Sequence, residues 1–589
     1  MKKKFYLLGM LAAGLTFAGC TDDIDDATGS GGNTTVGDGY VKVAINLPTT
    51  SGNSTRSAND DFDDGLVAEY HVNDVILALF YGADESLATC EWATDLTTSW
   101  SLVGNTTDNI TTKSEFVVNE VPKPGENENV YAFVIVNNSG YFDVSDNKLT
   151  YAAAGSNLTN FEGTLSGLFT TATDVVLTKI ASTSSDGNFM MTNAPISDKA
   201  SVTSGTSWDP TISTLVKVNV YDDQPTAEDA TPTPIYVERV AAKVQVTVDG
   251  DDNTLDVSGD TYNGATVTFD NWTLQNTNKK TYLVRNVVGS GENAAWKNWI
   301  TYFNTSVTEE NRFVGEQSGP YRTYWGIDPN YTTVAKDKLD DNFNIISGAS
   351  TDGWLVPTGS TSQSIPVAYC AENTTEAAAM AHNQLTGVLL KATFKPSGAD
   401  EGSNFFTCND ISTIYTEDDM IAAIEYILAT GGENIKLGEG ESIQIKDGAE
   451  AATINDSNGL KGVFEVRTSS SPKDLTDDQA SAILKKYTTI KFYKGGVTYY
   501  YTSLIKHFGD TYTPASNINQ AKDYTDENHL GRYGVVRNNW YELNIKSVSG
   551  PGEPEIPEIP EEPADKEHSY INTEINILSW AKRLQDVDL

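Results

Sequence analysis

The sequence predicts a mostly β protein: two β-sandwich domains with a few inserted helices, followed by an extended C-terminal tail. Three observations predict it. Short segments with apolar residues at every second position recur along the chain, punctuated by Gly, Asn and Asp, as in sandwiches. A Pro-rich break near residue 230 divides these segments into two groups. Beyond residue 550 a proline recurs at every third position, and one more alternating segment comes after it. With 589 residues, 39% hydrophobic and 10% aromatic, the chain has ample material for large cores.

The first element is a processing signal. Lys2, Lys3 and Lys4 precede an apolar stretch, Phe5 to Ala18, that is too short to span a bilayer. It ends in Phe17-Ala18-Gly19-Cys20, which resembles a bacterial lipobox with Phe17 in the place usually held by Leu. Residues 1–19 therefore read as a lipoprotein signal peptide and Cys20 as the lipidated residue. Acyl chains on Cys20 would anchor the precursor in a membrane. Residues 21–38 form an Asp-, Gly-, Ser- and Thr-rich tether.

Tyr40 to Leu47 then alternates, with Val41, Val43, Ile45 and Leu47 on one face and Lys42, Ala44 and Asn46 on the other, which is a half-buried strand. Pro48 ends it and residues 49–60 are loop. Val75–Phe80 and Tyr131–Val136 are continuous apolar runs suited to central strands. Val240 to Val248, Thr498–Tyr501 and Trp540–Ile545 continue the β pattern. Two helices interrupt it. One starts at Thr416 and carries Met420, Ile421, Ile424, Ile427 and Leu428; the other has a capping box of Thr476 with Gln479. The domains expected are 57–224 and 235–550, joined by a linker at 225–234 and preceded by a propeptide, 20–56, that includes the first strand.

The tail is the most informative segment. Pro551, Pro554, Pro557, Pro560 and Pro563 match the three-residue turn of polyproline II. Residues 551–569 thus read as a semi-rigid arm that holds the C-terminal segment away from the body. That segment, residues 570–589, places Ile571, Thr573, Ile575 and Ile577 on one face of a strand. This nearly repeats the pattern of the first strand. An isolated apolar strand needs a sheet, so the tail either folds back on its own domain or completes another molecule. The stiff arm favours the second. If the first strand left its sheet, the groove would offer the pattern the tail can fill. Arg56, the single arginine before Arg239, stands in the 49–60 loop, where proteolysis is easiest.

These residues resemble the fimbrillins, the pilins of type V pili, and among them the major subunit of the minor, Mfa-type, fimbria. The resemblance rests on the lipobox, Phe189–Pro195, Val237–Val244, Gly531–Tyr541, and Ser549–Gly552 leading into the arm and tail. It implies two transthyretin-like β-sandwich domains, export as an outer-membrane lipoprotein, and cleavage by an Arg-specific protease between Arg56 and Ser57. It further implies displacement of the strand bearing Val41, Val43, Ile45 and Leu47 by the donor strand (Ile571, Thr573, Ile575, Ile577) of another subunit. The partners implied are copies of the same chain and accessory pilins, in an extracellular fimbrium supporting adhesion and biofilm formation. The alternatives are a surface glycan-binding lipoprotein, with some of the ten Trp as sugar platforms, and an anchor or tip pilin.

Charge and motif content bound the rest. The net charge of −41 argues against nucleic acid and against docking on an anionic membrane through a basic face. His71, His382, His507, His529 and His568 are scattered, and no metalloprotease, nucleophile-elbow, phosphate-loop or paired-cysteine motif occurs. No catalytic, cofactor or metal residues are nominated, and the chain is not read as an enzyme. Asp249, Asp251, Asn253 and Asp260 partly match a calcium loop, but Thr254 replaces its glycine, so the segment reads as an acidic hairpin turn. Cys90, Cys370 and Cys408 allow at most one disulfide, and pairing of Cys370 with Cys408 stays open.

Overall fold

The structure, a computed structural model, describes residues 37–47, 66–100, 113–287, 321–502, 531–564 and 571–579 with short gaps inside these spans, together with 505 and 507. The signal segment, Cys20, Arg56 and Ser57 lie outside the described residues.

The N-terminal domain is built from Gly39–Asn46 (β1), Val75–Gly82 (β2), Thr89–Asp95 (β3), Lys113–Val121 (β4) and Asn129–Val136 (β5). Met191–Asn193 (β6), Val216–Val218 (β7) and Val220–Tyr221 (β8) add to it. The continuous apolar runs are central, as their composition requires. β2 lies between β3 and β5, and β5 has β2 on one side and β6 and β7 on the other.

The stretch expected as a linker is structured. Asp223 caps the helix Gln224–Asp229 (α1) by accepting from Thr226 N, with Pro225 in the first turn, where its missing N–H costs nothing. Thr233–Arg239 (β9) then runs parallel to β1 through Thr233 to Tyr236 and antiparallel to β6 through Val237 to Arg239. β9 thus joins the two halves of the N-terminal sheet around one core, which includes Val41, Ile45, Leu77, Phe80, Phe133 and Ile235. The chain leaves this sheet at Val240, about ten residues later than the sequence suggested.

The second domain opens with Ala241–Val248 (β10), Thr254–Asp256 (β11), Thr266–Gln275 (β12), Val367–Ala371 (β13) and Gly387–Lys395 (β14). An insertion comes next: Phe405–Cys408 (β15), Glu417–Thr430 (α2), Ser457–Val463 (α3), Asp477–Lys486 (α4) and Ile490–Tyr493 (β16). Val497–Thr502 (β17), Asn539–Val548 (β18) and Ile571–Ser579 (β19) complete the domain. One sheet runs β13-β10-β18-β19 and the other β11-β12-β14-β17. They face each other across Val244, Val246, Tyr541, Leu543 and Ile545 on one side and Phe269, Trp272, Leu390, Phe394 and Tyr500 on the other.

β14 and β17 are antiparallel neighbours, yet the residues between them fold as a separate α/β layer with its own core of Phe406, Met420, Ile424, Leu428, Phe464, Ile483 and Phe492. Both helices read from sequence lie there. Thr416 and Thr476 each complete a capping box, with Asp419 and Gln479, and Met420, Ile424 and Leu428 form the buried stripe of α2. The acidic segment after β10 is a corner, not a hairpin. It carries the chain from one sheet to the other, with Asp252 and Asn253 at φ 51° and 58° and Asn253 Nδ2 donating to Pro357 O (2.7 Å).

Candidate functional site

The two strands singled out by their matching patterns occupy different positions. β1 is central. On one side β4 runs antiparallel to it, with Val41 opposite Val118, Val43 opposite Phe116 and Ile45 opposite Ser114. On the other side β8 pairs through Tyr40 and Val41, and β9 through Val43 to Asn46. Val41, Val43 and Ile45 have no exposed surface and Leu47 has 1%. Gly39 opens the strand because a Cβ there would meet Val220 Cγ1 at 2.6 Å and Val121 O at 2.8 Å. On the opposite face Ala44 is buried as well, and Lys42 Nζ donates to Glu228 O of α1 (2.6 Å). Burying the four apolar side chains contributes about 6–12 kcal/mol, at 1.5–3 kcal/mol each.

β19 is an edge. It pairs antiparallel with β18 along its length, Ile577 opposite Tyr541, Ile575 opposite Leu543, Thr573 opposite Ile545 and Ile571 opposite Val548. Those four β18 residues belong to the core of the second sandwich. Among the described residues β18 is its one strand partner. In this chain, therefore, Ile571–Ser579 lies on its own domain, and the displaced and donor positions are not brought together.

The arm does not stand off from the body, contrary to expectation. Tyr499 N donates to Glu553 O (2.7 Å) and Glu553 N to Tyr499 O (2.8 Å), Tyr493 Oη donates to Gly552 O and Tyr500 Oη to Gly550 O. Gly552 permits this approach, since a Cβ would lie 2.1 Å from Tyr499 O. Further on, Thr453 N donates to Glu555 Oε2, His382 N to Glu562 O and Ala564 N to Met380 O. The three-residue period survives with a different meaning. Glu555, Glu558 and Glu561 form one exposed edge, while Ile556, Pro557, Ile559 and Pro560 are half-buried.

Sequence reasoning missed a set of buried charges between the domains. Lys243 Nζ lies 3.0 Å from Glu69 Oε1 and 3.6 Å from the centroid of the Trp540 ring, and Tyr369 Oη donates to Glu69 Oε1. Arg239 Nε donates to Glu69 O, Arg285 pairs with Glu238 at 2.8 Å, and Arg537 pairs with Glu372 at 3.1 Å. Asp328, fully enclosed, accepts from Asn278 Nδ2, Asn330 N and Thr374 N; burial, aided by the charge of Glu372, pushes its pKa up to about 7. The sequence signal was present in part. The segments around 190, 240 and 537, each weak as a motif, meet here: Met191 pairs with Arg239, Thr192 Oγ1 donates to Leu283 O, and Arg537 Nη1 also bonds Leu283 O.

Residues 491–586, from β16 through β17, β18 and the arm to the tail, match the family described as major fimbrial subunit protein type IV, fimbrillin, C-terminal. By this segment the chain is similar to the fimbrillins. The fimbrillin region thus includes both the edge strand β19 and the strand it pairs with. Among solved structures, similar chains include a candidate cell adhesion protein from Parabacteroides distasonis (12% identity, 92% of this chain and 98% of that one, TM-score 0.38). A fimbrilin (fimA) from Porphyromonas gingivalis shows 11% identity over 92% and 99%, TM-score 0.33. The C-terminally truncated tip fimbrial protein Mfa3 from the same species shows 12% over 92% and 100%, TM-score 0.28. These likenesses are distant, and the similarity to fimbrillins stands on the 491–586 match. No curated protein matches the chain.

Among the described residues no cluster of His, Cys, Asp and Glu could hold a metal, and no helix is long and apolar enough to cross a membrane. Cys370 and Cys408 are free and buried in separate cores, the latter with Sγ 3.8 Å from Met420 Sδ. Burial pushes both thiols up to about 12, which leaves them inert.

Proposed function

We propose that this chain is the polymerising stalk subunit of an extracellular fimbrium, without catalytic activity. In this reading it is exported as a precursor lipidated at Cys20, cut between Arg56 and Ser57, and assembled by insertion of residues 570–589 into the place of β1 in a neighbour. The observation that carries it is the unequal seating of two strands with the same pattern. β1 fills a slot with strand partners on both sides, whereas among the described residues β19 rests on one. Moving a tail from a single ladder to a vacated double one adds backbone pairing, at about 0.5–1.5 kcal/mol per hydrogen bond. The edge of β18 that the tail leaves then faces solvent or another chain.

The test is direct. Purified precursor treated with an Arg-specific protease is expected to give a fragment beginning at Ser57 and then polymers. A chain ending at Ala564 should be cut but stay monomeric; polymers from it would refute the donor role. N-terminal sequencing of cell-surface protein distinguishes the anchor reading, in which β1 and the lipid are retained.

A second reading, glycan binding, draws on an open cleft of about 750 Å³ between the insertion and the loop after β11. Tyr262 and Phe405 line it with polar groups such as Asn263, Ser403, Asn404 and Asp400. Retardation in polysaccharide gels that is lost in Tyr262→Ala would favour it.

A further inference from the structure

Thirteen residues separate Gly550 from the far end of the described arm, Ala564, and both ends of that stretch are fastened. At the near end the reciprocal bonds between Glu553 and Tyr499 extend the β14–β17 sheet by one residue pair, and Lys491 Nζ sits 2.8 Å from Glu553 Oε1. Tyr493 and Lys491 belong to β16 and Thr453 to the insertion's sheet, so the arm is held by the inserted layer as well as by the sandwich. At the far end Ala564 has no exposed surface and lies in a cluster with Met380, Leu385 and Tyr533. The bonds Ala564 N to Met380 O and His382 N to Glu562 O have the spacing of an antiparallel ladder.

We infer that the arm is a fixed strap, seated by the insertion, and that the part of the chain able to transfer between subunits begins after Ala564. This rests on the strand-exchange reading and sets a length that reading leaves open. From Ala564 to Ile571 is seven residues, which reach at most about 25 Å at 3.3–3.6 Å each, against roughly 70 Å if the chain swung from Pro551. A neighbour's β1 slot must then lie close beside Ala564. Successive subunits pack tightly, and the insertion, which holds the strap, stands next to each joint.

A disulfide tests this. Facing residues of such a ladder have Cα atoms about 5.5 Å apart, within the range a disulfide spans. Met380→Cys with Ala564→Cys therefore locks the far end of the strap, and the native thiols are buried. After cleavage at Arg56, the oxidised and reduced forms are expected to polymerise to the same extent. Polymers from the reduced form alone would overturn the fixed strap while leaving strand exchange intact. If neither form polymerises, the donor reading fails, and amide exchange on the uncut protein still decides the strap. The amides of Glu553 and Ala564 are expected to exchange at least about tenfold more slowly than those of residues 571–579. Exchange at unfolded-peptide rates in the arm would overturn it.

Discussion

The first and last strands carry nearly the same sequence pattern and meet opposite fates. β1 has β4 on one side and β8 and β9 on the other, and its apolar face is sealed. Among the described residues β19 is an edge with one strand partner. Alternation tells that a strand has one apolar face; it does not tell how many neighbours the strand has. That number decides what would be lost if the strand left its sheet, and here it differs between the two strands.

The sharpest break of this comparison is to remove each strand in turn. A chain beginning at Ser57 lacks β1, and the lost burial of about 6–12 kcal/mol is comparable to the whole stability of a typical domain. As a monomer, before the tail of a second chain fills the slot, its N-terminal domain is expected to lack its calorimetric transition. A chain ending at Ala564 should keep both domains folded, with a modest decrease in Tm. Adding a peptide of residues 570–589 to the first chain should restore the lost transition, and the same peptide with Ile575→Asp should not. Equal losses from the two truncations would sink the comparison.

The next effect lies at the junction that fixes the two strands' domains to each other. Arg537→Ala leaves Glu372, which has no exposed surface, without its ion pair. Breaking a buried pair in this way costs about 3–5 kcal/mol. Denaturant unfolding should show it in both domains together, because Arg537 also donates to Tyr282 O and Leu283 O, and Leu283 belongs to the N-terminal core. A loss confined to the second domain would mean that the junction does not couple them.

Much of this was readable in the sequence, and the failures share a physical cause. β1, the central runs of β2 and β5, and the stripe of α2 follow from periodicity, and the caps at Thr416 and Thr476 are local hydrogen bonds between residues three apart. Residues 222–234 misled because Asp and Pro serve equally in a loop and at a helix start; Asp223 and Pro225 do the second. The arm misled because a three-residue proline period describes a free and a docked chain alike. Lys243 and Gln245 alternate as a solvent-facing row would, yet both are buried, since a second domain and β18 cover that face. In each case the local pattern was right and its surroundings were set by partners far along the chain.

Asp328 supplies a pH test of the same junction. Its carboxyl is raised from 3.8 to about 7 in the fold, first by burial. Between about pH 4 and 7 the folded protein keeps a proton that the unfolded chain has released, so this group makes stability fall as pH rises through that window. Asp328→Asn removes the titration. The variant should be nearer to wild type, or above it, at about pH 8 than at about pH 5, measured as urea midpoints. A difference independent of pH would show that Asp328 is ionised throughout.

The smallest effect separates what holds the strap from what merely decorates it. Lys336 and Glu561 form an ion pair at the strap's outer edge, but their side chains are 80% and 51% exposed, and such pairs are screened by water and salt. Lys336→Ala is expected to leave Tm and the exchange of the Ala564 amide unchanged. Ala564→Glu instead forces a carboxylate among Met380, Leu385 and Tyr533, out of reach of water, and should lower Tm and free the strap. If the exposed pair proves the more damaging to lose, the strap is held by its glutamate edge rather than by its buried end, and the point where the mobile chain begins moves back toward Gly550.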